Sequence, residues 1–323
     1  MSIEGDVDVV ADSDPGAALD AARVPLPGSN VEVGSLGHLA RERARLNALE
    51  WEHFGVHRMA ATVGAEIVGL DLTTNIDDEV VAELRQALWD FKVIFFRDQP
   101  LDAAHHVALA SRFGELEIHP FIPSTGDYPQ LVRFAKDADV GGYENGWHHD
   151  VTWRAEPSKL AILRAVEVPA SGGDTLFADA HAAWAGLDAA TKDQISELDA
   201  VHDFMRAFGQ QVPPERKTEM REQYPLVEHP VVCQHPVTGQ ELLYVNRFFT
   251  DNIVGMDADE SALLIDRLCR QFDQIEYQCR FQWRNDSIAI WDNRAVQHYA
   301  NSDYWPDVRV MERASVVGDA PAR

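Results

Sequence analysis

The chain reads as one mainly β domain, an antiparallel sandwich or barrel with helices packed on its outside. Three observations predict this. Beyond residue 120 and as far as Val317, short β-branched or aromatic runs alternate with Gly, Pro, Asn and Asp turns. Helical periodicity interrupts that texture only twice, near residues 179–198 and 259–272. At 323 residues and 46% apolar content the chain can bury a full core, and β-sandwiches of this length commonly form one domain. No internal repeat is evident in the sequence.

The elements follow in order. Residues 1–35 are rich in Asp, Ala, Gly and Pro and nearly lack basic and aromatic residues. They are expected to form a mobile acidic arm, because so little apolar area cannot offset the ordering entropy. Residues 36–53 have helical composition and form a lead-in expected to dock on the body, which spans residues 54–319. Residues 65–72 read as a short strand with a turn. Asn75, with Asp78 three residues on, opens a helix whose apolar positions Val80, Val81, Leu84, Leu88 and Phe91 follow the helical period. Residues 93–96 make a buried strand, and residues 102–113 a second helix capped by Asp102. Gly, Pro and charge cluster in residues 204–225, the texture of a lid.

Lys plus Arg number 28 against 53 Asp plus Glu, a net charge of −25. Such a surface repels phosphate backbones and anionic lipid, which argues against nucleic acid and membrane partners. The cysteines, Cys233, Cys269 and Cys279, show no paired spacing and suggest a reduced cytoplasmic compartment. No apolar run approaches the roughly 18 residues of a membrane span, and the first residues lack the pattern of a signal peptide. A soluble cytoplasmic protein is expected. Its oligomeric state stays open, a homo-oligomer included.

The most informative stretch is Gly146-Trp147-His148-His149-Asp150-Val151-Thr152-Trp153. On a strand, His148 and Asp150 project from one face and His149 from the other. An imidazole beside a carboxylate is two-thirds of a facial triad, which leaves the opposite face of a metal open. Alone, His-x-Asp is a weak signal whose default reading is a satisfied surface pair. A third ligand is offered by His298, at the end of a run from Ile288 that reads as a buried strand and a tight turn rich in hydrogen-bonding groups. The other histidines invite structural readings: His105 and His106 within a helix, His202, His229 and His235 near turns, and His181 on the surface at a helix start. Trp147, Trp153 and Trp291 read as packing. After a hairpin loop at residues 301–307, residues 309–317 form a returning strand on which Arg309 and Arg313 share a face. Two inward guanidinium groups call for anions, which Arg grips in planar bidentate fashion. The alternative is that both are solvent-facing edge residues.

Together these pieces resemble the taurine dioxygenase and 2,4-dichlorophenoxyacetate dioxygenase superfamily of Fe(II)/2-oxoglutarate-dependent oxygenases. The motifs are Trp147-His148-His149-Asp150-Val151-Thr152, Gly172-Gly173-Asp174-Thr175, Trp291-Asp292-Asn293-Arg294 leading into Gln297-His298-Tyr299-Ala300, and Arg309-Val310-Met311-Glu312-Arg313-Ala314. They occur in the family's order over residues 54–319. The resemblance implies a distorted jelly roll (double-stranded β-helix) carrying Fe(II), with 2-oxoglutarate and O2 as cosubstrates. It implies His148, Asp150 and His298 as metal ligands and catalytic centre, and Thr175 and Arg309 as the grip on the far carboxylate of 2-oxoglutarate. Arg313 matches an arginine that holds the substrate's sulfonate, and His119 a substrate-contacting histidine. Val151, Phe208 and Phe249 fall where apolar pocket residues are expected.

The departures concern the substrate. Ile122 stands where taurine dioxygenase has a tyrosine and Glu144 where it has an asparagine, which puts taurine itself in doubt. Glu144 could pair with an amine or lie exposed on a loop. Asp150 is retained where related halogenases carry a small residue, which argues against halogenation. The implied activity is hydroxylation of a small anionic organic molecule, a sulfonate or sulfate ester favoured, with C–S or C–O cleavage where the attacked carbon bears that group. Two alternatives stay open: the same chemistry on a carboxylate, and a metal-binding jelly-roll protein without catalysis.

Overall fold

The computed structural model describes residues 24–25, 32–34, 36–119, 122 and 124–323. Most of the expected acidic arm lies outside them. The chain divides into two compact units, Met1–Leu49 and Glu50–Arg323. In the first, β1 (Val24–Pro25) pairs antiparallel with β2 (Glu32–Val33), and α1 (Gly37–Asn47) follows.

The second unit is mainly β with flanking helices. Its strands and helices in chain order are β3 (Gly55–Arg58), β4 (Ala65–Val68), α2 (Asp78–Phe91), β5 (Val93–Phe96), α3 (Ala103–Ser111), β6 (Ser124–Thr125) and β7 (Tyr128–Lys136). Then come β8 (Leu160–Glu167), β9 (Thr175–Asp179), α4 (Ala180–Ala185), α5 (Ala189–Ile195), β10 (Asp199–His202), α6 (Phe204–Phe208), α7 (Lys217–Gln223) and β11 (Val227–Pro230). The last are β12 (Val232–Gln234), β13 (Glu241–Leu243), β14 (Thr250–Ile253), α8 (Ala258–Cys269), β15 (Gln278–Phe281), β16 (Ile288–Asp292), β17 (Val296–Ala300) and β18 (Arg309–Val316).

A large sheet runs β3-β4-β5-β16-β8-β18-β7-β6, with only β4 and β5 parallel, and a smaller one runs β15-β9-β17. The main apolar core draws on both: Val93, Phe95, Ala161, Leu163 and Trp291 from the large sheet, Phe177, Phe281 and Val296 from the small one. Phe95 stacks on Phe281 at 4.1 Å between ring centroids. β5 and β16 are buried along their whole length, which is why their sequences are nearly unbroken apolar runs rather than alternating ones.

The structure moves several boundaries. α2 starts at Asp78 with Asp77 as its N-cap, not at Asn75. The helical passage near 179–198 is two short helices, each capped by an aspartate, Asp179 and Asp188. Residues 204–225, expected to form a lid, contain α6 and α7. His181, expected at the surface, is buried with Nδ1 bonded to the Glu241 carbonyl at 2.7 Å. His202, His229 and His235, expected near turns, are also buried, the first two on β10 and β11.

His235 belongs to a buried charge network at the end of β16. The Asp292 carboxylate accepts from Arg294 Nε at 2.8 Å and Nη2 at 2.6 Å, and its Oδ2 lies 2.8 Å from His235 Nε2. Burial pushes the Asp292 carboxyl upward, but Arg294 and His235 outweigh it and hold it well below the usual carboxylate range. Removing the carboxylate strands a guanidinium and an imidazole. Asp292→Ala is therefore expected to cost about 3–5 kcal/mol of stability at neutral pH in urea unfolding. Because the folded value is depressed, this contribution is present above the unfolded value of about 3.9 and fades as pH falls toward the folded one. A variant within about 0.5 kcal/mol of wild type would show that the network is not stabilising.

Candidate active site

The segment carrying His148 and Asp150 is not a strand. His148 forms one isolated antiparallel bridge to His298, through His148 N–H to His298 O at 3.2 Å and His298 N–H to His148 O at 2.9 Å. Asp150 then enters a turn in which Val151 has φ of 51°. The expected separation of side chains nevertheless holds. His148 and Asp150 line one cavity, while His149 is fully buried against Tyr244 and Phe272. His298 sits in the middle of β17 rather than at the end of the β16 turn.

Hydrogen bonds hold His148 and Asp150 in place, and His298 is set by its position on β17. His148 Nδ1–H donates to the Gly146 carbonyl at 2.7 Å, which leaves Nε2 with its lone pair. Phe248 stacks on the His148 ring at 4.7 Å between centroids. Asn293 accepts from the Asp150 N–H at 2.7 Å and donates to the carbonyls of Asp150 and Ser158 at 3.0 and 2.8 Å. One ligand atom from each of His148, Asp150 and His298 lies within 4.8 Å of the others. His148 Nε2 is 3.9 Å from Asp150 Oδ1 and His298 Nε2 is 4.0 Å from Asp150 Oδ2. Those gaps exceed a hydrogen bond, and an ion with bonds of about 2.1 Å reaches across them.

Electrostatics suit a cation there. Burial holds both imidazoles below their ordinary value, so they are neutral at pH 7. Burial also works against the Asp150 charge, but the Arg313 guanidinium beside it favours the ionised carboxylate and holds it below its ordinary range. Arg313 Nη1 donates to Asp150 Oδ2 at 2.7 Å, so the arginine expected to meet substrate also touches this carboxylate.

Arg309 and Arg313 are both buried on β18, which rules out the solvent-facing alternative. The glycine-rich run explains how Arg309 is seated. Gly173 has φ of 69°, and a Cβ there would meet Arg309 Nε and the Tyr304 ring at 3.2 Å each. Arg309 Nε donates to the Gly173 carbonyl at 3.2 Å. Thr175, opening β9, is 3% exposed and lines the same cavity. Glu144 is half-buried rather than exposed, and it pairs with the amine of Lys136 at 3.1 Å. His119 is half-buried, with its ring pushed down to about 3 by burial and then by Arg313 and Arg154. Val151 and Phe249 pack with Trp153, Phe204 and Phe208 in an apolar wall.

The cavity measures about 950 Å³, and every residue singled out in the sequence for a site role lines it. Sequence reasoning missed Lys136, which joins the site because β7–β18 register sets it opposite Arg309. No local motif marks it. It also missed Phe248 and Gly146; the Phe-Phe pair at 248–249 and the glycine beside the ligand motif were the available signals.

Comparison with known proteins agrees. The pattern described as "Taurine catabolism dioxygenase TauD, TfdA family" matches residues 55–315. An alkylsulfatase of Acinetobacter baylyi is 34% identical over 272 residues, covering 82% of this chain and 85% of that one. An alpha-ketoglutarate-dependent sulfate ester dioxygenase of Pseudomonas putida is 35% identical over 274 residues, covering 82% and 90%. The crystal structure of a taurine dioxygenase from Burkholderia xenovorans superposes with a TM-score of 0.73 at 34% identity, covering 84% of this chain and 91% of that one. With its motifs gathered in one cavity and the family pattern spanning most of its length, the chain belongs to the TauD/TfdA dioxygenase family.

Proposed function

We propose that this protein is an Fe(II)- and 2-oxoglutarate-dependent dioxygenase that hydroxylates a small organic anion, a sulfate ester or sulfonate, on a distorted jelly-roll frame. The observation that carries this reading is that His148, Asp150 and His298 share one cavity with buried Thr175 and Arg309. Two neutral imidazoles and one carboxylate are the donor set of a non-haem iron centre with open positions. A binding protein without catalysis has no use for the Thr175–Arg309 pair. The alkylsulfatase and sulfate ester dioxygenase relatives support the sulfate ester.

His148, Asp150 and His298 would hold the iron. When bound, iron with 2-oxoglutarate and O2 supplies the oxidising power for C–H hydroxylation, with succinate and CO2 as coproducts. Arg313 Nη1 donates to Asp150 Oδ2 and so fixes the carboxylate beside the two imidazoles. Its Nε has no hydrogen-bond partner among the described residues, a buried donor for a substrate anion. Thr175 and Arg309 receive the far carboxylate of 2-oxoglutarate. His119, neutral on the wall, accepts the Ile122 N–H at Nδ1 at 3.1 Å and so offers its Nε2–H as a donor toward substrate, and Glu144 lines the cavity while paired with Lys136. Val151, Phe208 and Phe249 exclude water from the reacting carbon. Where that carbon bears a sulfate oxygen, the hydroxylated product expels hydrogen sulfate and leaves a carbonyl.

Succinate release with Fe(II), ascorbate, 2-oxoglutarate and O2 is expected to rise with alkyl sulfates or sulfonates above the uncoupled background, and His148→Ala to abolish the rise. A response only to aryloxyalkanoates would move the substrate to the carboxylate class, and full activity in His148→Ala would refute the metal assignment. Because Arg313 serves Asp150 as well, Arg313→Lys is the sharper probe of the anion site. It keeps the charge and loses the planar fork, so KM for substrate should rise about tenfold or more while KM for 2-oxoglutarate stays within about threefold. Equal rises in both would mean that the two arginines have been assigned the wrong partners.

A further inference from the structure

We propose that Trp283 is a positioning residue that turns the Thr175 hydroxyl proton toward the cavity, so that Thr175 donates to the far carboxylate of 2-oxoglutarate. The inference rests on the proposed function, and it adds a residue that no motif of the sequence marks.

The geometry is one bond with unambiguous polarity. Trp283 Nε1 lies 2.9 Å from Thr175 Oγ1. An indole nitrogen only donates, whereas a hydroxyl has one proton and two acceptor sites. Thr175 must therefore accept here, and its own proton points away from the indole. Both side chains are buried, Trp283 at 4% exposed and Thr175 at 3%. The bond to Trp283 is the one described for this hydroxyl, so its proton has no acceptor from the protein among the described bonds. A buried donor of this kind is left unsatisfied until a ligand supplies an acceptor. A carboxylate has only acceptors to offer.

The indole is itself fixed. β15 pairs with β9 so that Phe281 lies opposite Thr175. Trp283 stands two residues beyond and packs edge-on against Phe281 at 4.9 Å between centroids. Without the N–H, the hydroxyl is free to rotate and loses its preference for the cavity. Arg309 supplies charge to the far carboxylate, and the oriented hydroxyl supplies direction.

The test is anaerobic calorimetry on the Co(II)-loaded full chain, comparing 2-oxoglutarate with 2-oxopentanoate, which lacks the far carboxylate. Trp283→Phe should weaken 2-oxoglutarate about threefold to tenfold and leave 2-oxopentanoate unchanged. Thr175→Val should weaken 2-oxoglutarate at least as much, and the double variant should bind no worse than Thr175→Val alone. Additive losses, equal losses for both ligands, or wild-type affinity in Trp283→Phe would each overturn the proposal. If Phe is not tolerated, 3-benzothienylalanine at position 283 keeps the shape without the N–H and decides the same question. Failure of wild-type protein to bind 2-oxoglutarate would instead remove the functional reading on which the proposal stands.

Discussion

Two backbone hydrogen bonds, exchanged between His148 and His298, are the constraint on which the site depends. They join a loop to the centre of β17 and bring the two imidazoles to 4.2 Å between centroids. β17 in turn pairs with β9 so that His298 lies opposite Phe177 and Ala300 opposite Thr175. One register thus sets both the donor set and the hydroxyl that meets the cosubstrate. Across the cavity, β18 pairs with β7 and β8, placing Arg313 opposite Leu163 on β8 and Arg309 opposite Lys136 on β7. The chemistry is therefore assembled by sheet pairing, and a one-residue slip in either sheet would turn it away from the cavity.

Charge inside the cavity runs against the charge of the whole. A protein of net charge −25 buries Arg309, Arg313 and Lys136 along one wall. Each needs a counter-ion to repay desolvation. Asp150 serves Arg313 and Glu144 serves Lys136, while no carboxylate is placed within ion-pair distance of Arg309 among the described pairs. That asymmetry is what an anionic cosubstrate would complete.

Much of this was legible in the sequence because motifs encode local geometry. The His148-x-Asp150 spacing told which side chains share a side, although the backbone there is a bridge and a turn. The separation survived because the left-handed residue of that turn, Val151, follows both ligands. The glycines at 172 and 173 were legible as a motif, but not their reasons: Gly172 lies against Asp303, and Gly173 against Arg309 and Tyr304. Lys136 and Trp283 could not be read, since each reaches the site through strand register between distant segments. His181 was misread because a helix start looks exposed in sequence, whereas here β13 covers it. For Glu144 the sequence left open an amine partner or exposure on a loop, and the partner it has, Lys136, lies at the end of β7.

The central claim is that three side chains hold one metal ion, which in turn holds 2-oxoglutarate. Anaerobic equilibrium dialysis of wild type and Asp150→Ala with Fe(II), with and without 2-oxoglutarate, tests it most directly. The account predicts one tightly held Fe(II) per chain in the wild type, 2-oxoglutarate retained only when the metal is present, and loss of both in the variant. Undiminished metal in Asp150→Ala, or 2-oxoglutarate binding indifferent to metal, would contradict it.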